Sequence, residues 1–118
     1  MSKPRDKTLF VKDMREACER IGRYIEGYDL VRFMADDKTV DAVLRNFEIL
    51  GEAASQVPPE IQALAPEIEW RRIKDFRNVI AHFYVGVDLG LVWGVIENRL
   101  PVLRQSLEQL DRRLTSEN

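Results

Sequence analysis

The sequence predicts an all-α protein, a single-domain helical bundle of four to five helices. Over most of the chain, apolar residues recur at steps of three and four, the spacing that places them on one face of a helix. No segment alternates apolar and polar residues with a period of two, and no short β-branched run is bounded by hairpin turn residues. Prolines and acidic capping residues separate the helical segments from one another. At 118 residues the chain is long enough for one core and too short for two.

The first predicted helix begins near Thr8 and ends near Gly27, after residues 1–6, which we expect to be frayed. Its apolar stripe consists of Phe10, Met14, Cys18, Ile21 and Ile25. Because Cys18 falls on that stripe and has no base nearby in the sequence, we interpret it as a small core residue and not as a nucleophile. A helical turn is predicted for residues 29–35, where it brings Leu30 and Phe33 to the core.

The most strongly patterned segment runs from about Lys38 to Gln56. The residues before it are of good capping types: Asp36, Asp37 and Thr39. A glycine inside a helix costs about 1 kcal/mol relative to alanine, so Gly51 needs a packing reason, and we expect another helix to approach closely there. Its neighbour Glu52 is either a solvated surface acid or a group that orients a site residue.

Prolines delimit the second half of the chain. Pro58 and Pro59 end the patterned helix, and Pro59 opens a short helical turn to Ala65. The next helix begins near Trp70 and runs to about Phe83. Its core face is formed by Ile73, Phe76 and Ile80.

A last helix follows, with Asp88 as its predicted cap. Its apolar register continues past Pro101, which predicts either a kinked helix or two abutting helices. We expect the chain after Leu114 to fray.

Composition limits the possible functions. Hydrophobic residues at 45% and charged residues at 32% are typical of a globular protein. No apolar run approaches the ~20 residues of a membrane span, and the first residues lack the apolar segment of a signal peptide, so we expect a cytoplasmic protein without membrane contact. A lone cysteine and a lone histidine argue against a disulfide and a zinc cluster, and we expect no metal and no cofactor.

The segment from Arg77 to Tyr84 carries the candidate chemistry, because it combines the only histidine, His82, with an arginine, an amide and a phenol. An imidazole exchanges a proton near neutral pH, and a guanidinium matches two phosphate oxygens at once. Together they suit metal-free cleavage of RNA, in which the 2′-hydroxyl attacks its own phosphate. The competing interpretation is structural: Arg77 pairs with an acid, Asn78 forms a cap, and His82 packs its ring.

Spacing on the helix places Asn78 and His82 on one face, whereas Arg77 diverges from His82 by about 140° at the backbone. Cleavage by this route needs both a base and an acid, and each chain has one histidine. A symmetric homodimer would supply two of each group around one cleft, which predicts an inactive monomer.

A cluster of cations precedes this segment: Arg71, Arg72 and Lys74. The net charge of −2 argues against broad phosphate neutralisation, so any contact with RNA has to be local. The same residues are interleaved with Glu67, Glu69 and Asp75, with which they can pair along the helix surface. Both interpretations stay open.

Several motifs occur in order along the chain: the segment 41–54, Glu69-Trp70, Arg77-Asn78 with His82 and Tyr84, Gly86-Val87-Asp88, and Val92-Trp93. Together they resemble the HepT-like family of the HEPN superfamily of helical ribonucleases. The resemblance implies the toxin of a type VII toxin–antitoxin pair, a metal-independent endoribonuclease that cleaves cellular RNA as a homodimer. It also implies that Arg77 and His82 are catalytic, that Asn78 supports them, and that a cognate MNT-type nucleotidyltransferase antitoxin transfers AMP to Tyr84.

Two other functions remain open at this point. The chain could be a non-catalytic helical subunit that presents a nucleotide or a groove to a nucleotidyltransferase. Alternatively, Asn78 and His82 could form structural hydrogen bonds across a dimer seam.

Overall fold

The computed structural model describes residues 6–82 and 86–116, and the side chain of His82 is outside that description. Within these residues the chain forms helices and no strand, which confirms the all-α prediction. Five helices have ten residues or more: α1 Thr8–Tyr24, α3 Asp37–Gln56, α5 Trp70–His82, α6 Leu89–Asn98 and α7 Leu100–Ser116. Two short helices connect them: α2 Leu30–Ala35 and α4 Pro59–Gln62.

Acidic side chains cap three of these helices. Asp36 accepts a hydrogen bond from the backbone N–H of Thr39 (3.1 Å) at the start of α3. Asp88 accepts from the N–H groups of Gly90 and Leu91 (2.9 and 3.2 Å) at the start of α6. Both caps were predicted, and Asp29 adds a third by accepting from the N–H of Arg32 (2.8 Å) at the start of α2. Because each bond satisfies a donor that the helix itself leaves unpaired, these side chains fix where the helices begin.

The first helix ends at Tyr24, three residues before the predicted end near Gly27. The chain leaves the helical conformation at Ile25 and turns, with the N–H of Tyr28 donating to the carbonyl of Ile25 (2.9 Å). Gly27 has a φ of 76°, a conformation that favours glycine. The glycine therefore closes the turn after the helix and does not extend it.

Pro101 lies where two helices abut, one of the two predicted arrangements. α6 ends at Asn98 and α7 begins at Leu100, so the proline is the second residue of α7. A backbone N–H at that position has no partner within the helix, so the missing donor costs little. At its other end α7 continues to Ser116, beyond the point at which fraying is expected, with the hydroxyl of Thr115 donating to the carbonyl of Asp111 (2.8 Å).

The core lies where α3 meets its neighbours. α3 packs against α1 on one side and α5 on another, while α7 packs on α1 and α6. The ring of Phe33 in α2 contacts Trp93 in α6, with centroids 5.2 Å apart. Cys18 is buried in α1, and burial raises the pKa of its thiol to about 12, which agrees with the core interpretation.

None of the helices in the described ranges is long and apolar enough to cross a lipid bilayer.

Candidate active site

The candidate site is built on α5, which lies directly against α3 at Gly51. Gly51 is buried in the middle of α3. A β-carbon built at this glycine would overlap the β-carbon of Arg77, and it would lie 2.7 Å from the γ-carbon of Arg77 and 3.2 Å from the carbonyl oxygen of Ile73. The predicted close approach of a second helix at Gly51 is therefore confirmed. Its partner is the turn of α5 that carries Arg77.

The side chain of Arg77 is held between the two helices. The residue is half-buried, and its Nε is buried without a hydrogen-bond partner among residues 6–82 and 86–116. A buried donor left without an acceptor costs about 1–3 kcal/mol. The predicted alternative, in which Arg77 pairs with an acid, is not realised among the described residues. The aliphatic stem of Arg77 is thus fixed by packing, and its Nε donates to none of the described groups.

Asn78 and His82 lie further along the same helix. Asn78 is half-buried, and His82 is the last residue of α5. The five-residue separation of Arg77 and His82 corresponds to about 7.5 Å along the helix axis. Tyr84 lies outside the described residues. The structure therefore brings Arg77, Asn78 and the backbone of His82 to the C-terminal half of α5, and the roles of all four residues remain predictions.

Other contacts hold α5 in place from its first turn to its last. The indole N–H of Trp70 donates to the carbonyl of Ala65 (3.1 Å), and the ring of Phe76 meets Phe47 of α3 edge-on at 5.1 Å between centroids. Near the end of the helix, Ile80 is fully buried. This face matches the predicted core face, so the orientation of α5 follows from its apolar pattern.

The opposite face of α5 carries the predicted RNA-binding cations. Arg71 lies 4.0 Å from Asp75, and Arg72 lies 2.9 Å from Glu69. Lys74 is exposed and makes no ion pair with another described residue. Two of the three cations thus pair along the helix, as one of the two predicted alternatives required. Exposed pairs of this kind contribute about 0–1 kcal/mol and leave the side chains accessible to other anions.

Glu69 also makes a contact that the sequence did not indicate. Its second carboxylate oxygen accepts from Arg99 (2.7 Å), the residue between α6 and α7. The two residues are 30 positions apart, and no periodic pattern connects them. The pair joins the start of α5 to the helix junction, at the rim of a largely apolar cavity of about 550 Å³. Arg77 does not line this cavity.

Glu52, beside Gly51, is exposed. That position matches the alternative of a solvated surface acid.

In the part of the chain that the structure describes, no group of three His, Cys, Asp or Glu side chains could hold a metal ion.

A protein-family model described as ribonuclease HepT-like matches residues 14–110, from the middle of α1 into α7. The chain belongs to the HepT-like family. A probable ribonuclease HepT of Thermococcus cleftensis is 35% identical to this HepT-like protein over 101 residues, which cover 86% of the chain and 92% of the relative. No solved structure matches the chain.

Two Methanocaldococcus jannaschii proteins are also similar to this HepT-like chain. A putative RNase is 25% identical over 114 residues, covering 97% of the chain and 94% of the relative. A protein named gamma-glutamylcyclotransferase and putative RNase is 30% identical over 112 residues, covering 92% of the chain but 50% of that longer relative.

Proposed function

We propose that this HepT-like protein is a metal-independent endoribonuclease that cleaves cellular RNA, tRNA or mRNA, at the cleft of a homodimer. The observation that carries the proposal is the packing of Arg77 on Gly51, five residues before the only histidine. A solvated surface arginine has no need of a glycine in the facing helix. Membership of a ribonuclease family supplies the reaction class.

The reaction needs no group beyond those of the protein and the RNA. The 2′-oxygen attacks the adjacent phosphorus as its proton passes to a histidine, so that an O2′–P bond forms. The P–O5′ bond breaks, and a protonated histidine gives its proton to the leaving O5′. Arg77 stabilises the negative charge that grows on the non-bridging oxygens.

The homodimer follows from this demand for two proton-transfer groups. Each chain has one histidine, so the base and the acid come from His82 of two chains related by a two-fold axis. Asn78, four residues before His82 on the same face, supports the imidazole. Activity should then fall as the protein is diluted below the dissociation constant of the dimer.

Local electrostatics supports RNA contact on the outer face of α5. Arg71, Arg72 and Lys74 are exposed within one turn of the helix, six to three residues before Arg77. They contribute local phosphate contacts in a protein whose net charge is −2.

In the cell, we assign the chain to a type VII toxin–antitoxin pair. A cognate MNT-type nucleotidyltransferase antitoxin transfers AMP to Tyr84, two residues after His82. A bulky anionic nucleotide beside the cleft would repel RNA and block its access.

Cleavage of a defined RNA by the purified dimer in the presence of a chelator tests the enzymatic function. The wild type should cut the RNA and spare a strand with 2′-deoxyribose at the cut site. Arg77→Ala should cleave about 100-fold or more slowly, and His82→Ala should be inactive. Arg45→Ala is the matched control, because it removes an exposed arginine of α3 whose partner among the described residues is Glu48 (3.7 Å). Unchanged cleavage by Arg77→Ala and His82→Ala would mean that these residues do not carry the reaction, and absence of cleavage by the wild type would favour the non-catalytic binding subunit.

Co-expression with the transferase tests the toxin assignment. The wild-type chain should inhibit growth when expressed alone and lose its toxicity when the transferase is present, with AMP found on Tyr84 by mass spectrometry. Tyr84→Phe should stay toxic in both cases. Silencing of Tyr84→Phe by the transferase would exclude this route of inhibition.

A further inference from the structure

One contact of the candidate site involves a residue that has no side chain. Among the described glycines, Gly51 makes the tightest contact with another helix. β-Carbons built at the other glycines meet no described atom of another segment within 4 Å, and the one at Gly90 meets only the side chain that caps its own helix; these glycines are Gly22, Gly27, Gly86, Gly90 and Gly94. The atoms facing Gly51 are the β- and γ-carbons of Arg77 and the carbonyl oxygen of Ile73.

We infer that Gly51 is a positioning residue for the reaction: its missing side chain lets α3 hold the stem of Arg77 in the orientation that catalysis requires. The inference rests on the proposed function, in which Arg77 stabilises the charge on the phosphate. It assigns a role in activity to a residue that has no functional group and does not touch RNA.

The nature of the facing atoms makes this contact rigid. The β-carbon of Arg77 is fixed by the backbone of α5 and cannot rotate away, and the carbonyl of Ile73 belongs to the hydrogen-bonded helix. A methyl group at position 51 therefore cannot be accommodated by a rotamer change alone. α5 has to move away from α3, and Arg77 moves with it.

The burial of Nε shows how closely the side chain is confined. That atom is shielded from solvent and has no acceptor among the described residues, so the stem of the side chain up to Nε is held by packing and not by a hydrogen bond to a described group. A displaced helix would free the stem and allow other rotamers. Misplacing a catalytic group by about 1 Å can reduce the rate ~100-fold.

Substitution of the glycines provides a matched experiment. Gly51→Ala should lower kcat for RNA cleavage ~10- to 100-fold, with a much smaller change in KM, because the arginine acts on charge that develops in the transition state. Gly22→Ala in α1 and Gly94→Ala in α6 add the same methyl group inside a helix where no described atom beyond the adjoining residues and the helix's own backbone lies within 4 Å. Both should keep wild-type kcat.

A double-mutant cycle separates positioning from general loss of structure. If Gly51 acts through Arg77, Gly51→Ala should reduce kcat in the wild-type background and have little further effect in an Arg77→Ala background. Combining Gly51→Ala with Gly22→Ala and Gly94→Ala provides a second variant if the single substitution folds poorly, since alanine favours a helix more than glycine does. Circular dichroism and size-exclusion chromatography should show folded dimers throughout.

The outcomes distinguish this inference from the proposed function. If Arg77→Ala loses most of its activity and Gly51→Ala retains full kcat, the positioning role is wrong and the ribonuclease mechanism stands. The same holds if Gly51→Ala lowers kcat by an equal factor in both backgrounds. If Arg77→Ala itself cleaves RNA like the wild type, the proposed function and the positioning role are both wrong.

Discussion

The two sides of α5 carry the same kind of residue in opposite circumstances. On the inner side, Arg77 lies on Gly51 of α3 with its Nε buried. On the outer side, the side chain of Arg71 is 93% exposed and lies 4.0 Å from a carboxylate of the same helix. Residue type does not distinguish these two arginines. The distance to the neighbouring helix does, because, of these two side chains, it is that of Arg77 whose stem is fixed by α3.

The largest expected effect concerns the chemistry of the inner arginine. Arg77→Ala should reduce kcat/KM about 100- to 1,000-fold, the range typical of removing one donor that stabilises a transition state. Arg77→Lys keeps the charge but loses the planar set of donors, and we expect it to recover less than about a tenth of the activity. Single-turnover cleavage of a labelled RNA measures both. Full activity of the lysine variant would show that charge alone suffices and that the fixed geometry is irrelevant.

The next largest effect is on the free energy of unfolding, which should distinguish the buried side of α5 from its exposed side. Ile80 is fully buried, so Ile80→Ala should lower the free energy of unfolding by about 2–5 kcal/mol. Val79, its neighbour in sequence, is 44% exposed, and Val79→Ala should change stability by about 0.5 kcal/mol or less. Urea unfolding of the two variants measures these changes in the free energy of unfolding. Equal losses at the two positions would mean that α5 buries a different face in solution.

The sequence predicted the helices and their ends better than the contacts between them. Apolar spacing identified the core face of α5, and the capping roles of Asp36 and Asp88 follow from local chemistry that a short segment contains. The glycine inside α3 predicted a close approach, because only packing explains its cost there. Periodicity does not say which helix comes near, and so Arg77 could not be named as its partner.

Contacts between residues far apart in the sequence could not be predicted, for the same reason. The pairing of Glu69 with Arg99 depends on how α6 and α7 meet at Pro101, which is a property of the assembled bundle. The end of α1 was misplaced because Gly27 suits the close of a turn as well as the end of a helix. The candidate residues of the site were chosen for their chemistry and for the resemblance, whereas the packing that holds Arg77 became visible only in the structure.

Asp36, at the start of α3, is held by hydrogen bonds, whereas the stem of Arg77 is held by packing. Hydrogen bonds from the hydroxyls of Tyr28 (2.6 Å) and Thr39 (2.8 Å), in that order, lower the pKa of Asp36 from 3.8 to about 2. A carboxylate with a lowered pKa stabilises the fold above its ordinary pKa, and this contribution is lost as the pH falls through the folded value. The stability of the wild type should therefore fall between about pH 4 and pH 2 in part through Asp36.

Two variants check this acid sensitivity. Asp36→Asn should be less stable than the wild type near neutral pH, and the difference in thermal midpoint should shrink as the pH falls from about 4 to about 2. Tyr28→Phe removes the larger cause of the shift, so its acid-induced loss of stability should be smaller than that of the wild type and should be complete at a higher pH. A difference between Asp36→Asn and the wild type that is independent of pH would contradict the assigned hydrogen bonds.

The smallest expected effect comes from the exposed ion pairs. Glu69 accepts from both Arg72 (2.9 Å) and Arg99 (2.7 Å), yet its side chain is 47% exposed, so Glu69→Gln should change the free energy of unfolding by about 1 kcal/mol or less. Removing one negative charge beside Arg72 should also tighten RNA binding slightly at low salt, and added salt should abolish this gain. Unfolding in urea and RNA titrations at two salt concentrations measure the two effects. A loss of stability as large as that of Ile80→Ala would mean that the outer side of α5 is held as firmly as the inner one, and the distinction between the two arginines would then no longer rest on packing.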